Sequence, residues 1–319
     1  MRIKNIKNFL NQFDNFFIST HTSPEPDALG SELALAYLLK KLGKSFQIVN
    51  SDKPSPNFCF LPDIDIIRSR PANRKIEAAI ILDCANLSRI GQARNFLSAS
   101  TPILNIDHHI SNSYFGDINI VEPMASSTSE IIFNLLKKMK IRINKQIATL
   151  LYSGIATDTG FFRYSNTNSK VHNIVAELLK FKLDVPLIYQ NIYGNMTLEE
   201  LAFINRILLK LRTTKKNRIA WLSITKKSLK SNKVNIDIAD HIFNYTRYLK
   251  DVQVVVLFKE NPRDRAIRVN LRSNGKVDVN KIAQKFNGGG HPNASGITFK
   301  NMSLKKVEEL VINFIHNQI

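Results

Sequence analysis

At 319 residues and 44% hydrophobic content, the chain is long enough for two ordinary domains, each with a core of its own. Its 45 Lys and Arg against 26 Asp and Glu leave a net charge of +19, a field that draws phosphate-bearing partners; Lys, Asn and Ile are nonetheless abundant throughout, and the lysines are spread along the chain rather than gathered into one stripe. Two cysteines without CxxC spacing, Cys59 and Cys84, exclude a disulfide framework and a zinc knuckle.

The amino-terminal stretch MRIKNIKNFLNQFDNF has charge and amide where a signal peptide needs a continuous apolar segment. Apolar runs such as Val252 to Phe258 are too short to cross a bilayer, so a cytoplasmic protein with no membrane partner is expected. Phe16 to Thr20 (FFIST) reads as a buried strand that leads through HTSPEPDALGS into a helix over SELALAYLLKKLGK. SFQIVNS, AAIILDC (Ala78 to Cys84) and TPILNIDHH follow as strands, and STSEIIFNLLKKMK, INKQIATLLYSGI and SKVHNIVAELL have helical spacing. Fully apolar strands alternating with helices predict an α/β fold, a mostly parallel sheet flanked by helices.

FKLDVPLIYQNIYGNMTLEE then carries Pro186, Gly194 and a capping-type Thr197 ahead of the helix LEELAFINRILLKL. A joint there predicts a catalytic domain over residues 1–185, a linker over 186–198 and a second, smaller α/β domain over 199–319, with the active cleft between them. In the second domain a strand over RVNLRS, a helix over KVDVNKIAQKF and a strand over ASGITF frame the glycine run GGGH.

Ligands of such sheets sit beyond the carboxyl ends of the strands. His21, Glu25 and Asp27 follow the first strand, Asp83 closes the run from Ala78, Asp107, His108 and His109 close the next, and Asp158 follows the helix INKQIATLLYSGI. One such Asp alone is an ordinary helix cap or turn residue. Four segments delivering carboxylate and imidazole to one rim form a cluster whose anions repel unless cations neutralise them. Carboxylate and imidazole without thiolate suit Mn2+, with Mg2+ or Co2+ as substitutes, and a set of donors too large for one ion suits two ions about 3.5–4 Å apart that clamp a phosphoryl group.

His21, Asp27, Asp83, the triplet Asp107, His108 and His109, and Asp158 in ATDTGFFRYS resemble, in order and separation, the four motifs of the DHH phosphoesterase superfamily. RVNLRSNGKVDVNKIAQKFNGGGHPNASGITF, from Arg268 to Phe299, is similar to the DHH-associated domain of its nucleotide-cleaving branch. Together they span nearly the whole chain. The resemblance implies that His21, Glu25 and Asp83 hold one metal, that Asp27, Asp83, His108 and Asp158 hold a second, and that Asp83 bridges them. It also implies that His109 lies against the scissile phosphate and that Asp107 orients a histidine. Glu25 departs from the Asp usual in the family, and Pro26 from the usual small residue.

Gly288, Gly289 and Gly290 before His291 leave backbone N–H groups able to surround an anion, and Arg272 offers phosphate a planar fork with Ser273 beside it. By resemblance this second domain grips the nucleotide. The implied function is a manganese-dependent phosphodiesterase that converts cyclic di-AMP or very short oligoribonucleotides to 5'-phosphate products, with long nucleic acid excluded and a homodimer as the assembly. Alternatives are a 3'-phosphoadenosine 5'-phosphate phosphatase, and a non-catalytic nucleotide sensor or RNA-binding protein. Pyrophosphatases and exopolyphosphatases share the DHH core, but GGGHPNASG speaks against them. His172 reads as an ordinary surface or cap residue, His241 and His316 as partly buried helical residues, and Phe161 and Phe162 as core.

Overall fold

A computed structural model describes residues 3–72, 75–194, 196–214, 216–232, 239–246, 249–261 and 266–319. It divides into two compact units, Met1–Asn195 and Met196–Ile319.

The first unit runs α1 (Ile3–Gln12), β1 (Asn15–Ser19), α2 (Pro26–Lys41), β2 (Ser45–Ile48), β3 (Ala78–Leu82), β4 (Ile103–Asp107) and β5 (Ile118–Val121). Four helices follow: α3 (Thr128–Lys138), α4 (Lys145–Asp158), α5 (Ser169–Leu179) and α6 (Val185–Tyr193). The strands lie in the order β2-β1-β3-β4-β5, every neighbouring pair parallel. All five residues of β3 are buried, as a strand covered on both faces requires. The period of two divides the side chains: Phe16, Ile18, Ala78 and Ile80 join the core built with the helices, while Phe17, Ala79 and Ile81 join a smaller core on the other face with Val49, Ile90 and Ala93. Each buried large aliphatic contributes about 1.5–3 kcal/mol.

The helix starts are written in polar residues. Ser127, Asn144, Asn168 and Asp184 accept the backbone N–H of Glu130, Ile147, Val171 and Leu187 through their side chains. Two boundaries differ from the sequence reading in a way that matters for chemistry. α2 begins at Pro26, whose fixed φ and missing N–H suit a first helical position, so Asp27 stands in the first turn of a helix rather than in a loop. α4 runs on to Asp158, which is its last residue. The expected linker 186–198 is helical through Tyr193 instead: Ile188 and Ile192 of α6 are buried in the first unit's core, because their four-residue spacing gives that helix one apolar face. β5 went unforeseen, since INIV is short and lies among polar residues.

The second unit contains α7 (Leu198–Leu208), β6 (Arg212–Thr213), β7 (Ile219–Ile224), α8 (Lys226–Asn232), α9 (Ala239–Thr246), β8 (Val254–Glu260) and β9 (Ala266–Ser273). It closes with α10 (Val279–Gln284), β10 (Gly289–His291), β11 (Ala294–Lys300) and α11 (Leu304–His316). Thr197 and Glu200 form a capping box at the start of α7. The sheet order is β10-β11-β9-β8-β7-β6, antiparallel except for the β7–β8 pair. One face packs on α10 and α11 through Val279, Ile282, Val307 and Val311, the other on α7 and α9 through Phe203, Ile207, Ile242 and Phe243. Among the described residues no helix is long and apolar enough to cross a membrane.

Candidate active site

The carboxyl ends of β1, β3 and β4 share one rim of the first sheet, and the side chains just beyond them converge. Asp83 follows β3 with φ of 51°, a left-handed conformation that a residue with a Cβ adopts only under constraint from its surroundings. Its amide still donates to the carbonyl of Ile106 at 3.0 Å, so the turn is anchored to β4. The two carboxylate oxygens of Asp83 face different partners. Oδ2 lies 3.4 Å from His21 Nε2, and Oδ1 lies 3.5 Å from His108 Nε2 and 3.7 Å from His109 Nδ1. His108 Nε2 is also 3.1 Å from Asp158 Oδ2 and 4.0 Å from Asp27 Oδ2.

The outer ring nitrogens explain why these imidazoles point inward. Nδ1 of His21 lies 2.8 Å from the Thr22 carbonyl and Nδ1 of His108 lies 3.3 Å from the Ala125 carbonyl. A carbonyl only accepts, so Nδ1 carries the hydrogen and a neutral ring turns the lone pair of Nε2 toward a carboxylate. Lone pair against lone pair is stable only around a positive charge. Against the cost of burial, the Asp158 and Asp83 carboxylates hold His108 well above its usual range, and Asp83 raises His21 in the same way. Burial, then the charges of Asp83 and Asp158, push Asp27 well above the usual carboxylate range. Asp83 is held well below that range because hydrogen bonds from His108 and His21 outweigh its burial. Protons on imidazole are one way to neutralise such a cluster, and divalent cations on the same donors are the other. The ligand atoms of Asp27, Asp83 and His108 lie within 4.8 Å of one another, and so do those of Asp83, Asp107 and His109. Hard oxygen and imidazole donors fit Mn2+ or a similar ion, and the neighbouring thiol of Cys84, pushed up to about 12 by burial, offers no thiolate.

Asp27 is fixed from a distant part of the chain. The backbone amides of Thr128 and Ser129 donate to its Oδ2 and Oδ1 at 2.7 and 2.8 Å, so the first turn of α3 grips the carboxylate with both amides. Each such hydrogen bond contributes about 0.5–1.5 kcal/mol, and about 1.5–3 kcal/mol where a bound cation keeps the carboxylate ionised. The Thr128 hydroxyl donates to Asp83 Oδ1 at 3.0 Å. Neither residue was singled out from sequence; the signal available was the polar run SSTSE that opens the second helical pattern. Asp107, fully buried, lies 2.7 Å from His109 Nδ1 and accepts Asn112 Nδ2 at 2.6 Å, and the bond to His109 outweighs burial to lower its carboxyl. Asp107 therefore orients His109, and Asn112 is a further support that spacing did not reveal.

Five of the six expected ligands, His21, Asp27, Asp83, His108 and Asp158, are thus drawn together. Glu25 is the exposed N-cap of α2, and its side chain makes no capping hydrogen bond. Pro26 starts the helix immediately after it, and Asp27 in the same turn is buried. Beneath His21, Glu32 is buried completely, accepts Asn50 Nδ2 at 2.8 Å and is pushed up to about 8 by burial.

In the second unit most of the glycine run lies in the sheet. Gly289 to His291 form the edge strand β10, with Gly290 at φ of 145° and register Gly290↔Ser295 and His291↔Ala294. A Cβ on Gly290 would meet the Ala294 carbonyl at 2.5 Å, so close approach of two strands accounts for that glycine, and Gly288 likewise faces the Gly296 carbonyl. Ala294 also pairs with Arg272, which places Arg272 and His291 in one row across three strands. The Arg272 guanidinium lies 4.8 Å from the centre of the Phe243 ring. Ser273 Oγ accepts the amides of Gly275 and Val277 at 3.1 and 3.3 Å, so it shapes its own turn. Phe161 and Phe162 pack on the first unit's core as half-buried residues, His172 is exposed and His241 half-buried, and His316, expected partly buried, is exposed.

Residues 15–155 match the DHH family, N-terminal domain, and residues 204–319 match the DHHA1 domain. A bifunctional oligoribonuclease and PAP phosphatase NrnA of Bacillus subtilis is 30% identical over 289 residues, 89% of each chain. A protein of the same description from Mycoplasma genitalium is 30% identical over 315 residues, 97% of each chain. The cyclic-di-AMP phosphodiesterase PdeA of Listeria monocytogenes is 24% identical across 97% of this chain and 48% of its own length. Among solved structures, an exopolyphosphatase-related protein from Bacteroides fragilis matches with a TM-score of 0.86 and 28% identity, covering 98% of this chain and 95% of the other.

Proposed function

This chain belongs to the DHH family and is a phosphoester hydrolase, and from that premise we propose that it cleaves cyclic di-AMP and very short linear oligoribonucleotides to 5'-phosphate products with two Mn2+ ions, Mg2+ or Co2+ substituting. The substrate class rests on relatives described as oligoribonuclease, PAP phosphatase and cyclic-di-AMP phosphodiesterase. The observation that carries the two-ion reading is the division of Asp83, with one oxygen toward His21 and the other toward His108. His21 and Asp83 would hold one ion, and Asp27, Asp83, His108 and Asp158 the other. Glu25, exposed at the start of α2, would complete the first set.

Bound there, the ions would supply charge neutralisation at phosphorus and activation of water near neutral pH. The chain's own groups hold geometry. Asn112 fixes Asp107, Asp107 fixes the His109 ring, and a ring so held offers its other nitrogen to the scissile phosphate or the leaving 3' oxygen. Phosphoryl transfer asks for positioning and electrostatics more than covalent help, which suits a rim whose donors are buried and mutually braced. In the second unit, Arg272, Gly288, Gly289, Gly290 and His291 are the proposed nucleotide grip; Ser273 contributes through the turn it closes.

Side-by-side kinetics with Mn2+ on cyclic di-AMP, a linear diadenylate and 3'-phosphoadenosine 5'-phosphate test the proposal. Faster turnover of either dinucleotide supports it, faster turnover of 3'-phosphoadenosine 5'-phosphate makes the phosphatase the main activity, and phosphate release from pyrophosphate alone sinks both. Asp83→Ala should abolish turnover and leave the circular dichroism spectrum intact. Near-normal manganese-dependent hydrolysis by that variant would refute the assignment.

A further inference from the structure

We propose that Thr128 is the positioning residue that holds Asp83 in its bridging orientation and sets its distance from Asp27, an inference that rests on the two-ion reading above. A carboxylate turns about its last side-chain bond in a broad, nearly two-fold well, so the bond itself does not decide which oxygen faces which partner. At Asp83 the choice matters, because His21 and His108 stand on different oxygens. The Thr128 hydroxyl donates to Oδ1 at 3.0 Å, from a side chain with no solvent exposure. The same residue's amide donates to Asp27 Oδ2 at 2.7 Å. One residue thereby holds two carboxylates that lie 56 positions apart in the chain, and its place in the first turn of α3 fixes where both bonds originate.

Thr128 also suits the task chemically. A threonine deep in a helix returns its hydroxyl to the carbonyl a turn earlier; in the first turn, with Ser127 as cap, no helical carbonyl precedes it, and the proton goes to Asp83. The β-branched side chain has few rotamers, so the donor stays where it is aimed. Valine has nearly the same shape without the donor, and serine keeps the donor without the methyl.

Mn2+ titration followed by electron paramagnetic resonance reads the consequence directly. The signal of free Mn2+ counts the ions bound, and a spin-coupled signal reports two ions sharing a bridge. Wild type should bind two coupled ions. Thr128→Val should weaken one of them by roughly 10- to 100-fold, the usual cost of removing an outer support of a metal ligand, and lose the coupled signal. Thr128→Ser should restore both, and the Mn2+ concentration for half-maximal turnover should move in parallel. If Thr128→Val does not fold by circular dichroism, Thr128→Ala is read in its place. Two coupled ions of unchanged affinity in the variant lacking the hydroxyl would overturn the positioning role alone. A wild-type protein that binds a single uncoupled ion would overturn the two-ion reading, and the proposal with it.

Discussion

Glu32 shows how far a residue's surroundings move its chemistry. Burial outweighs the one hydrogen bond from Asn50 and raises the carboxyl from 4.5 to about 8. Between these values the folded chain keeps a proton that the unfolded chain has released. Stability from this group is therefore full below about 4.5 and declines as pH climbs through 8, by about 1.4 kcal/mol for each unit of displacement. Glu32→Gln keeps an acceptor for Asn50 and removes the decline. Thermal melts at pH 6 and pH 8.5 should show the variant gaining on wild type at the higher pH; a constant difference would mean that Glu32 is ionised in the fold. Sequence at this scale named a set of metal-type side chains, five of which the fold draws together, because Asp, His and Glu carry their chemistry wherever they stand. It could not tell that Asp27 is buried and Glu25 exposed, two residues apart on either side of a helix start, since that distinction needs the direction of each Cα–Cβ bond.

Two helices explain how Asp27 and Asp158, at opposite ends of their sequences, come to face one another. α2 and α4 run antiparallel and touch at glycines: a Cβ on Gly30 would lie 2.6 Å from the Leu150 carbonyl, and one on Gly154 would lie 2.8 Å from Asp27 Oδ1 and collide with Ser129 Oγ. Alanine at 154 improves helix propensity by about 1 kcal/mol, but overpacking costs about 1–3 kcal/mol. Because the clash falls on the groups that hold Asp27, Gly154→Ala should be net destabilising in urea, by about 1–2 kcal/mol, and should lower turnover with Mn2+. A more stable, fully active variant would show that the helices can part. The existence of both helices was legible in their apolar spacing. Their last turns at the site were not, because Pro26 and Asp158 look like turn residues until the helix that includes them is seen.

Across the first unit, charge that is scattered in sequence is gathered in space. Residues 33–51 and 131–157 contain no acidic residue, and they carry Lys40, Lys41, Lys44, Lys137, Lys138, Lys140, Arg142 and Lys145. Tyr37 Oη donates to the Arg142 carbonyl at 3.1 Å, and Lys41 Nζ lies 5.3 Å from the Tyr37 ring centre, so the end of α2 meets the α3–α4 connection. Glu177 pairs with Lys137 and Asp14 with Lys44, which leaves a basic face one helix length, about 24 Å, from Asp27. The triple change Lys138→Glu, Lys140→Glu and Arg142→Glu should lower the salt concentration at which the protein leaves a heparin column, with dinucleotide turnover unchanged. Unchanged elution would show that the net charge acts from elsewhere.

The sequence by itself determined the parallel sheet, the helices around it, the chemical type of the site and the family motifs, because apolar period, capping residues and ligand chemistry are properties of short segments. Tertiary structure alone decided that Thr128 and Ser129 grip a carboxylate about 100 residues away, that Asn112 steadies Asp107, that the glycine run is an edge strand, and that the lysines share a face. Each of those outcomes depends on where one packed element ends against another, and a docking position is set by the shapes of two surfaces together, which no local pattern contains.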